Sequence, residues 1–308
     1  MRLRISDYFK GDIYKMILSV KDIHKSYGKE QVLKGISFEI NKPQIIALIG
    51  PNGSGKSTLL NIITNLLTAN TGEVTILNKT NKDPNIFREI SYMQDNSVLY
   101  DYLTGYDHLQ FIGDVQGITK EQIIKTAERV GMAGYLDKKV QNYSLGMKQH
   151  LLLTMAIVND PKLLILDEPL NGLDPTSAIR VRELLLELFE SGTTILLSSH
   201  NLGEIDRVTS KILFLKDGRL IKEDISEYEQ IHYELVVEDV NLAESALNQE
   251  NIAVETVGSK LRIYSETSPL HDVLRVLEQH KITVLDIEKK MQGSEDRYRK
   301  IFGETGEA

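Results

Sequence analysis

Cysteine is absent from the 308 residues, so the chain forms neither a disulfide nor a thiolate metal site. No apolar run approaches the roughly 18 residues needed to cross a bilayer. The longest near-apolar stretch, residues 151–158, is short and interrupted by Thr154. Residues 1–15 mix charge with scattered apolar side chains and lack the h-region of a signal peptide. Membrane association is therefore expected only through a partner or a weak surface contact. Basic charge is in deficit too: 36 Lys and Arg stand against 44 Asp and Glu, a net charge of −8. That balance argues against nucleic acid as a partner, because neutralising phosphates requires a basic surface. What remains is an ordinary globular composition, 41% hydrophobic and 26% charged, compatible with the cytosol. The length suffices for one large and one small domain.

Against these absences stands one dense motif. Gly50-Pro51-Asn52-Gly53-Ser54-Gly55-Lys56-Ser57 satisfies the G-x-x-x-x-G-K-[ST] phosphate-binding pattern. It follows the apolar run Ile45-Ile46-Ala47-Leu48-Ile49 and precedes a helix-prone stretch opening at Thr58. This strand–loop–helix context is what gives the motif meaning. Glycines let backbone N–H groups turn inward around phosphates, and the helix N-terminus adds a favourable dipole. Lys56 is placed to reach the β- and γ-phosphates, and the Ser57 hydroxyl to ligate Mg²⁺. The loop predicts binding of a nucleoside triphosphate.

Short β-rich runs alternate with helical stretches through residues 16–225. Strand candidates are 17–20, 36–40, 45–49, 90–93, 163–166, 194–198 and 212–215. Strands separated by helix-length segments predict an α/β fold with a mainly parallel sheet covered on both faces. Residues from about 95 to 160 lack strand signals and read as an inserted helical subdomain, with one helix over 121–130 and another from near Gly146. From 231 to 308 a second domain is expected, with strands 233–237, 253–257, 260–264 and 283–288 and helices 243–249 and 269–280. In the last helix Leu270, Val273, Leu274 and Leu277 share one face. This βαββαβ order predicts a ferredoxin-like α+β module. Residues 1–15 stand apart as an N-terminal extension, in which Ile5, Phe9 and Ile13 share a helical spacing that Gly11 interrupts. They are read as a loosely ordered tail or the product of a start upstream of Met16.

A second chemical element is Leu163-Leu164-Ile165-Leu166-Asp167-Glu168, an apolar strand ending in two carboxylates. Asp167 at the strand's edge would hold Mg²⁺ directly or through water, and Glu168 could accept a hydrogen bond from an attacking water. Just upstream lies Tyr143-Ser144-Leu145-Gly146-Met147-Lys148-Gln149, which resembles the Leu-Ser-Gly-Gly-Gln signature of ATP-binding-cassette (ABC) ATPases. With its motifs in that family's order, the chain resembles an ABC ATPase from Met16 to about Glu223. The resemblance implies a P-loop NTPase core binding ATP and Mg²⁺. It implies that Tyr27 stacks on adenine and that Gln94 lies near Mg²⁺ and the attacking water. It further makes Asp174 a residue communicating across a dimer, and His200 the switch histidine at the γ-phosphate. Ser144 and Gly146 are the signature positions expected to contact the γ-phosphate of an ATP held by a second subunit. Leu145 departs from the family glycine, which reduces backbone freedom at that position. His24, His108, His150, His232, His271 and His280 show no metal-ligand spacing and are assigned structural roles.

The Tyr-Ser-Leu-Gly-Met-Lys-Gln form is similar to a subgroup of bacterial exporters of bacitracin- and lantibiotic-resistance type, whose ATPases often carry a C-terminal extension. The resemblance implies an ATPase subunit at the cytoplasmic face of the cell membrane, docked on a separately encoded permease through its helical subdomain. One copy of each motif per chain implies a head-to-tail dimer, most simply a homodimer, with a heterodimer as the other possibility. A non-transport ABC ATPase acting on a macromolecular complex is the competing expectation. Such proteins usually show long coiled coils, zinc cysteines or tandem cassettes, none of which this sequence contains.

Overall fold

Short apolar runs form the centre of the larger of two units. In the computed structural model, residues 16–228, 231–264, 268–291 and 293–303 are described; the expected N-terminal extension lies outside them. The chain divides into two compact units at Glu223. The first unit runs through β1 (Leu18–Tyr27), β2 (Glu30–Ile40), β3 (Ile45–Ile49), α1 (Lys56–Ile63), β4 (Thr71–Ile76), β5 (Lys79–Thr80) and β6 (Ile90–Met93). Three longer helices follow, α2 (Gly105–Gln116), α3 (Lys120–Val130) and α4 (Leu145–Ile157). The unit ends with β7 (Leu163–Leu166), α5 (Pro175–Glu190), β8 (Thr194–Ser199), α6 (Leu202–Ile205), β9 (Lys211–Lys216) and β10 (Arg219–Asp224).

Six strands form the central sheet in the order β10-β9-β3-β8-β7-β6. β3 runs parallel to β8 and β9, and β7 parallel to β6 and β8. Every residue of β3, β7 and β8 is buried, as expected of parallel strands covered on both faces. One expectation needs correction. The runs at 17–20 and 36–40 do not join this sheet. They belong to β1 and β2 of a separate antiparallel sheet, ordered β2-β1-β4-β5. Its inner face, with Leu18, Val20, Leu33 and Ile36, shares one core with Leu59, Leu60 and Ile63 of α1 and with Ile46, Leu48 and Leu196 of the central sheet. Because β2 lies over the loop before α1, this second sheet shapes the phosphate site.

Local signals set the helices. A reciprocal capping box between Thr104 and Asp107 starts α2, and left-handed Gly117 ends it. Thr119 caps α3, which stops at left-handed Gly131. Helix α4 buries residues on most sides, including Leu151, Leu152, Leu153, Ala156 and Ile157, so it is an interior helix rather than an amphipathic one. His108 links the segment before α2 to the helix: Nδ1 donates to the Thr104 carbonyl at 2.7 Å and Nε2 accepts from the Tyr100 N–H at 3.0 Å.

The second unit contains β11 (Ile231–Val237), α7 (Val240–Gln249), β12 (Glu255–Val257), β13 (Lys260–Tyr264), α8 (Leu270–Gln279), β14 (Val284–Met291) and α9 (Ser294–Phe302). Its sheet is ordered β12-β13-β11-β14 with antiparallel neighbours. Leu235, Leu261 and Ile263 pack against Ala243, Leu247, Val273 and Leu277 in its own core. The β-α-β-β-α-β order is ferredoxin-like, as expected, while α9 is an addition. Among the described residues, no helix is long and apolar enough to cross a membrane.

Candidate active site

The phosphate loop, residues 50–55, joins fully buried β3 to α1. Gly55 occupies the N-cap of α1 at φ 102°, and a Cβ there would lie 2.8 Å from Val32 Cγ1 on β2. At Gly50 a Cβ would fall 2.7 Å from the Leu215 carbonyl of β9. Both positions therefore require glycine, one for a left-handed turn and close packing, the other for close packing alone. No side chain caps α1, so its first N–H groups face the loop without a side-chain acceptor. The Ser54 hydroxyl is buried without a hydrogen-bond partner, and a Cβ at Gly53 would meet nothing within 4 Å. An unpaired buried hydroxyl beside open space at a helix N-terminus fits a phosphate group.

Lys56 is 7% exposed, and its ammonium donates to the carbonyls of Gly50 at 2.8 Å and Pro51 at 3.3 Å. It also stands 4.0 Å from Glu168 Oε1. The other oxygen, Oε2, lies 2.9 Å from His200 Nδ1. A carboxylate only accepts, so the imidazole Nδ1–H is the donor. Three residues from separate motifs thus converge: the loop lysine, the acid after β7 and the histidine after β8. His200 is half exposed and reachable by an incoming group.

Glu168 is held in an unusual backbone conformation. Its φ of 53° lies in the left-handed region, costly for a residue with a Cβ. Buried Ser198 accepts from the Glu168 N–H at 2.9 Å while its hydroxyl donates to Asp167 Oδ1. The Asp167 N–H in turn donates to the Met93 carbonyl of β6 at 3.0 Å. Ser198 was not singled out in the sequence; its available signal is a hydroxyl at the buried end of an apolar strand. Changing Ser198→Ala removes one donor and one acceptor together. We expect a loss of about 1–3 kcal/mol in stability and about tenfold in ATP turnover, read by thermal melting and steady-state assay. Unchanged turnover would show that Ser198 does not position the acid.

The remaining expected residues occupy five places. Gln94 follows β6, half-buried, while Ser57 and Thr58 open α1. Tyr27 ends β1 half exposed, with Lys25 Nζ 5.3 Å from its ring centroid. Ser144 is the N-cap of α4, accepting from the Met147 N–H at 3.2 Å, with Gly146 in the first turn. Asp174 caps α5, accepting from the Thr176 and Ser177 backbones and the Ser177 hydroxyl. Those hydrogen bonds, led by the Ser177 hydroxyl, hold its carboxyl below the usual carboxylate range. Leu145 starts α4 in ordinary helical conformation, so the loss of the family glycine costs no strain there.

Residues 33–171 match the family model described as ABC transporter. ABC transporter ATP-binding protein YhcH of Bacillus subtilis (strain 168) is 33% identical over 95% of this chain and 98% of its own length. The chain belongs to the ABC transporter ATP-binding proteins. As a member of that family it is an ATPase, the ATP-binding subunit of an ABC transporter. The bacitracin transport ATP-binding protein BcrA of Enterococcus faecalis is 31% identical, with 96% of this chain and 99% of BcrA aligned. The lantibiotic transport ATP-binding protein SrtF of Streptococcus pyogenes is 37% identical over 67% of this chain and 90% of SrtF. Among solved structures, an ATP-binding subunit of an ABC transporter superposes with a TM-score of 0.63 at 29% identity, covering 68% of this chain and 91% of that one. The ADP conformation of the cassette MJ1267 gives a TM-score of 0.57 at 28% identity over 67% and 89% of the two chains. The P-loop fold expected from the motifs is therefore that of an ABC cassette, a nucleotide-binding domain.

Proposed function

We propose that this ABC ATPase powers export of a peptide antibiotic, a drug or a similar compound, from the cytoplasmic face of the cell membrane. The observation carrying this reading is the alignment with the bacitracin transport protein, which spans 96% of the chain and so includes the second unit. Residues 16–225 form the ATPase domain, about 95–160 its helical subdomain and 231–308 an accessory domain. A separately encoded permease would dock on the helical subdomain. There α2 exposes Phe111 and Val115, four residues apart, and the preceding segment exposes Tyr100 and Tyr102. Exposed aromatic and aliphatic side chains in one region mark an interaction surface.

Two chains, most simply two copies of this one, would each lend Ser144 and Gly146 to the ATP on the other's phosphate loop. Gly50, Pro51, Asn52, Gly53, Ser54, Gly55, Lys56, Ser57 and Thr58 cradle the phosphates, and Tyr27 stacks on the adenine. Ser57, Gln94 and Asp167 offer only oxygen or amide donors, which suits Mg²⁺; when bound, that ion neutralises charge on the phosphoryl oxygens. Lys56 offsets charge developing on the γ-phosphoryl group as water attacks in line. Glu168 orients and polarises that water, and His200 steadies the carboxylate while facing the γ-phosphate. Asp174, fixed as a helix cap, presents its loop to the facing subunit.

Affinity purification of the tagged chain from detergent-solubilised native membranes, followed by mass spectrometry, tests the assignment. A multi-span membrane protein in stoichiometric amount is expected. Recovery instead of a soluble complex with ribosomes or DNA would overturn the transport reading. Truncation after Gln230 is expected to leave ATP affinity within about twofold, since the second unit has its own core. Loss of ATP binding in a folded truncated chain would show that the accessory domain is not independent.

A further inference from the structure

The signature helix touches the catalytic segment of its own chain at two points. Near its start, Leu145 stands against Gly172, where a Cβ would fall 2.8 Å from Leu145 Cγ and closer still to Cδ2. One turn on, the Gln149 side-chain amide donates to the Glu168 main-chain carbonyl at 2.9 Å. Leu145 and Gln149 are four residues apart and so lie on one face of α4. Gln149 is 6% exposed, so its end of this part-buried hydrogen bond lies inside the protein rather than at the surface. The Asn171 N–H donates to the same carbonyl at 3.1 Å. With Ser198 accepting from the Glu168 N–H, the left-handed residue is gripped on both sides of its Cα, by a strand on one and by the signature helix on the other.

We propose that Gln149 is a positioning residue through which the signature helix sets the orientation of Glu168 in the same chain. The inference rests on the reading of Glu168 as the residue that polarises water. Ser144 and Gly146 lie at the start of the same helix, within about one and a half turns of Gln149. A small shift of α4 when those residues engage a nucleotide is therefore carried to the Glu168 carbonyl and rotates the attached carboxylate. Leu145, filling the space over Gly172, carries the same shift to the loop ending at Asp174. Each chain would thus register occupancy of the site it helps to close through the geometry of its own acid. The leucine that replaces the family glycine then has a role, because a glycine would leave the space over Gly172 empty.

The test uses the full chain and two substitutions of nearly constant shape. Gln149→Met removes the donor. Gln149→Glu lacks it while ionised and regains it on protonation. For a folded Gln149→Met protein we expect kcat to fall by about tenfold while ATP affinity stays within about twofold. For Gln149→Glu, kcat relative to wild type is expected to rise as pH falls from about 8 to about 6, since burial beside a carbonyl favours the protonated acid. Wild-type kcat in Gln149→Met, alongside an inactive Glu168→Gln, would overturn the inference and leave the role of Glu168 standing. Parallel loss of ATP affinity and melting temperature would reduce Gln149 to a structural residue and overturn it too. If Gln149→Met does not fold, the pH ratio decides alone, and a flat ratio rejects the proposal. Undiminished turnover in Glu168→Gln would remove the underlying reading and this inference with it.

Discussion

Glu168→Gln is expected to bind ATP and hold it. The amide has the carboxylate's size and can still meet His200, which stands 2.9 Å from Oε2. It leaves the left-handed backbone and its bonds to Ser198 and Gln149 in place. What disappears is the negative charge that polarises water. General-base contributions amount to about 10²–10⁴-fold, and turnover should fall within that range. Affinity for ATP should be preserved or improved, because the amide no longer repels the γ-phosphate. Closure of two chains around ATP should then persist, since the step that releases it is blocked. Turnover assays give the first quantity, and size-exclusion chromatography with ATP shows the dimer. Wild-type turnover would remove Glu168 from its proposed role.

Lys56→Ala is expected to act one step earlier, on binding. The ammonium is buried at 7% exposure and held by two loop carbonyls, with the Glu168 carboxylate 4.0 Å away. Without it, the Gly50 and Pro51 carbonyls lose their donor, and a phosphate entering the loop meets Glu168 with no intervening cation. Charge-assisted contacts to phosphate are among the stronger hydrogen bonds. We expect ATP affinity to fall by about 100-fold, equivalent to about 2.7 kcal/mol. A titration with fluorescent ATP measures this. Undiminished affinity would count against the assignment of the loop. The two variants separate the site's tasks: one keeps ATP and loses chemistry, the other loses ATP.

The chemistry was more legible than its supports. The phosphate loop and the Asp167–Glu168 pair are readable because each follows a continuous apolar run, the pattern of a strand buried on both faces. Gln94, Asp174 and His200 become visible only through the order of motifs, since a polar residue in a loop announces nothing by itself. Ser198 carries no such signal, and Gln149 stands within the signature segment without a role of its own. Their importance comes from what folding brings beside them, a carbonyl and an N–H of residues 19 and 30 positions away. The antiparallel sheet was misjudged for a related reason. β4 and β5, which complete the antiparallel sheet beside β1 and β2, are short or largely exposed and give weak periodicity, so that sheet left little trace. Helix α9 was missed because its nine residues are mostly charged or polar.

The left-handed turn at Glu168 has an evolutionary side. At φ 53° the backbone is best satisfied by glycine, then by asparagine or aspartate, and glutamate is among the residues it suits less well. Selection for a stable fold alone would therefore drift away from the acid, toward a well-folded cassette that still binds ATP but no longer spends it. Under the role proposed for Glu168, the acid at this position sets turnover against fold stability. It also marks this position as the shortest route by which a duplicated copy could become a silent partner in a two-site machine.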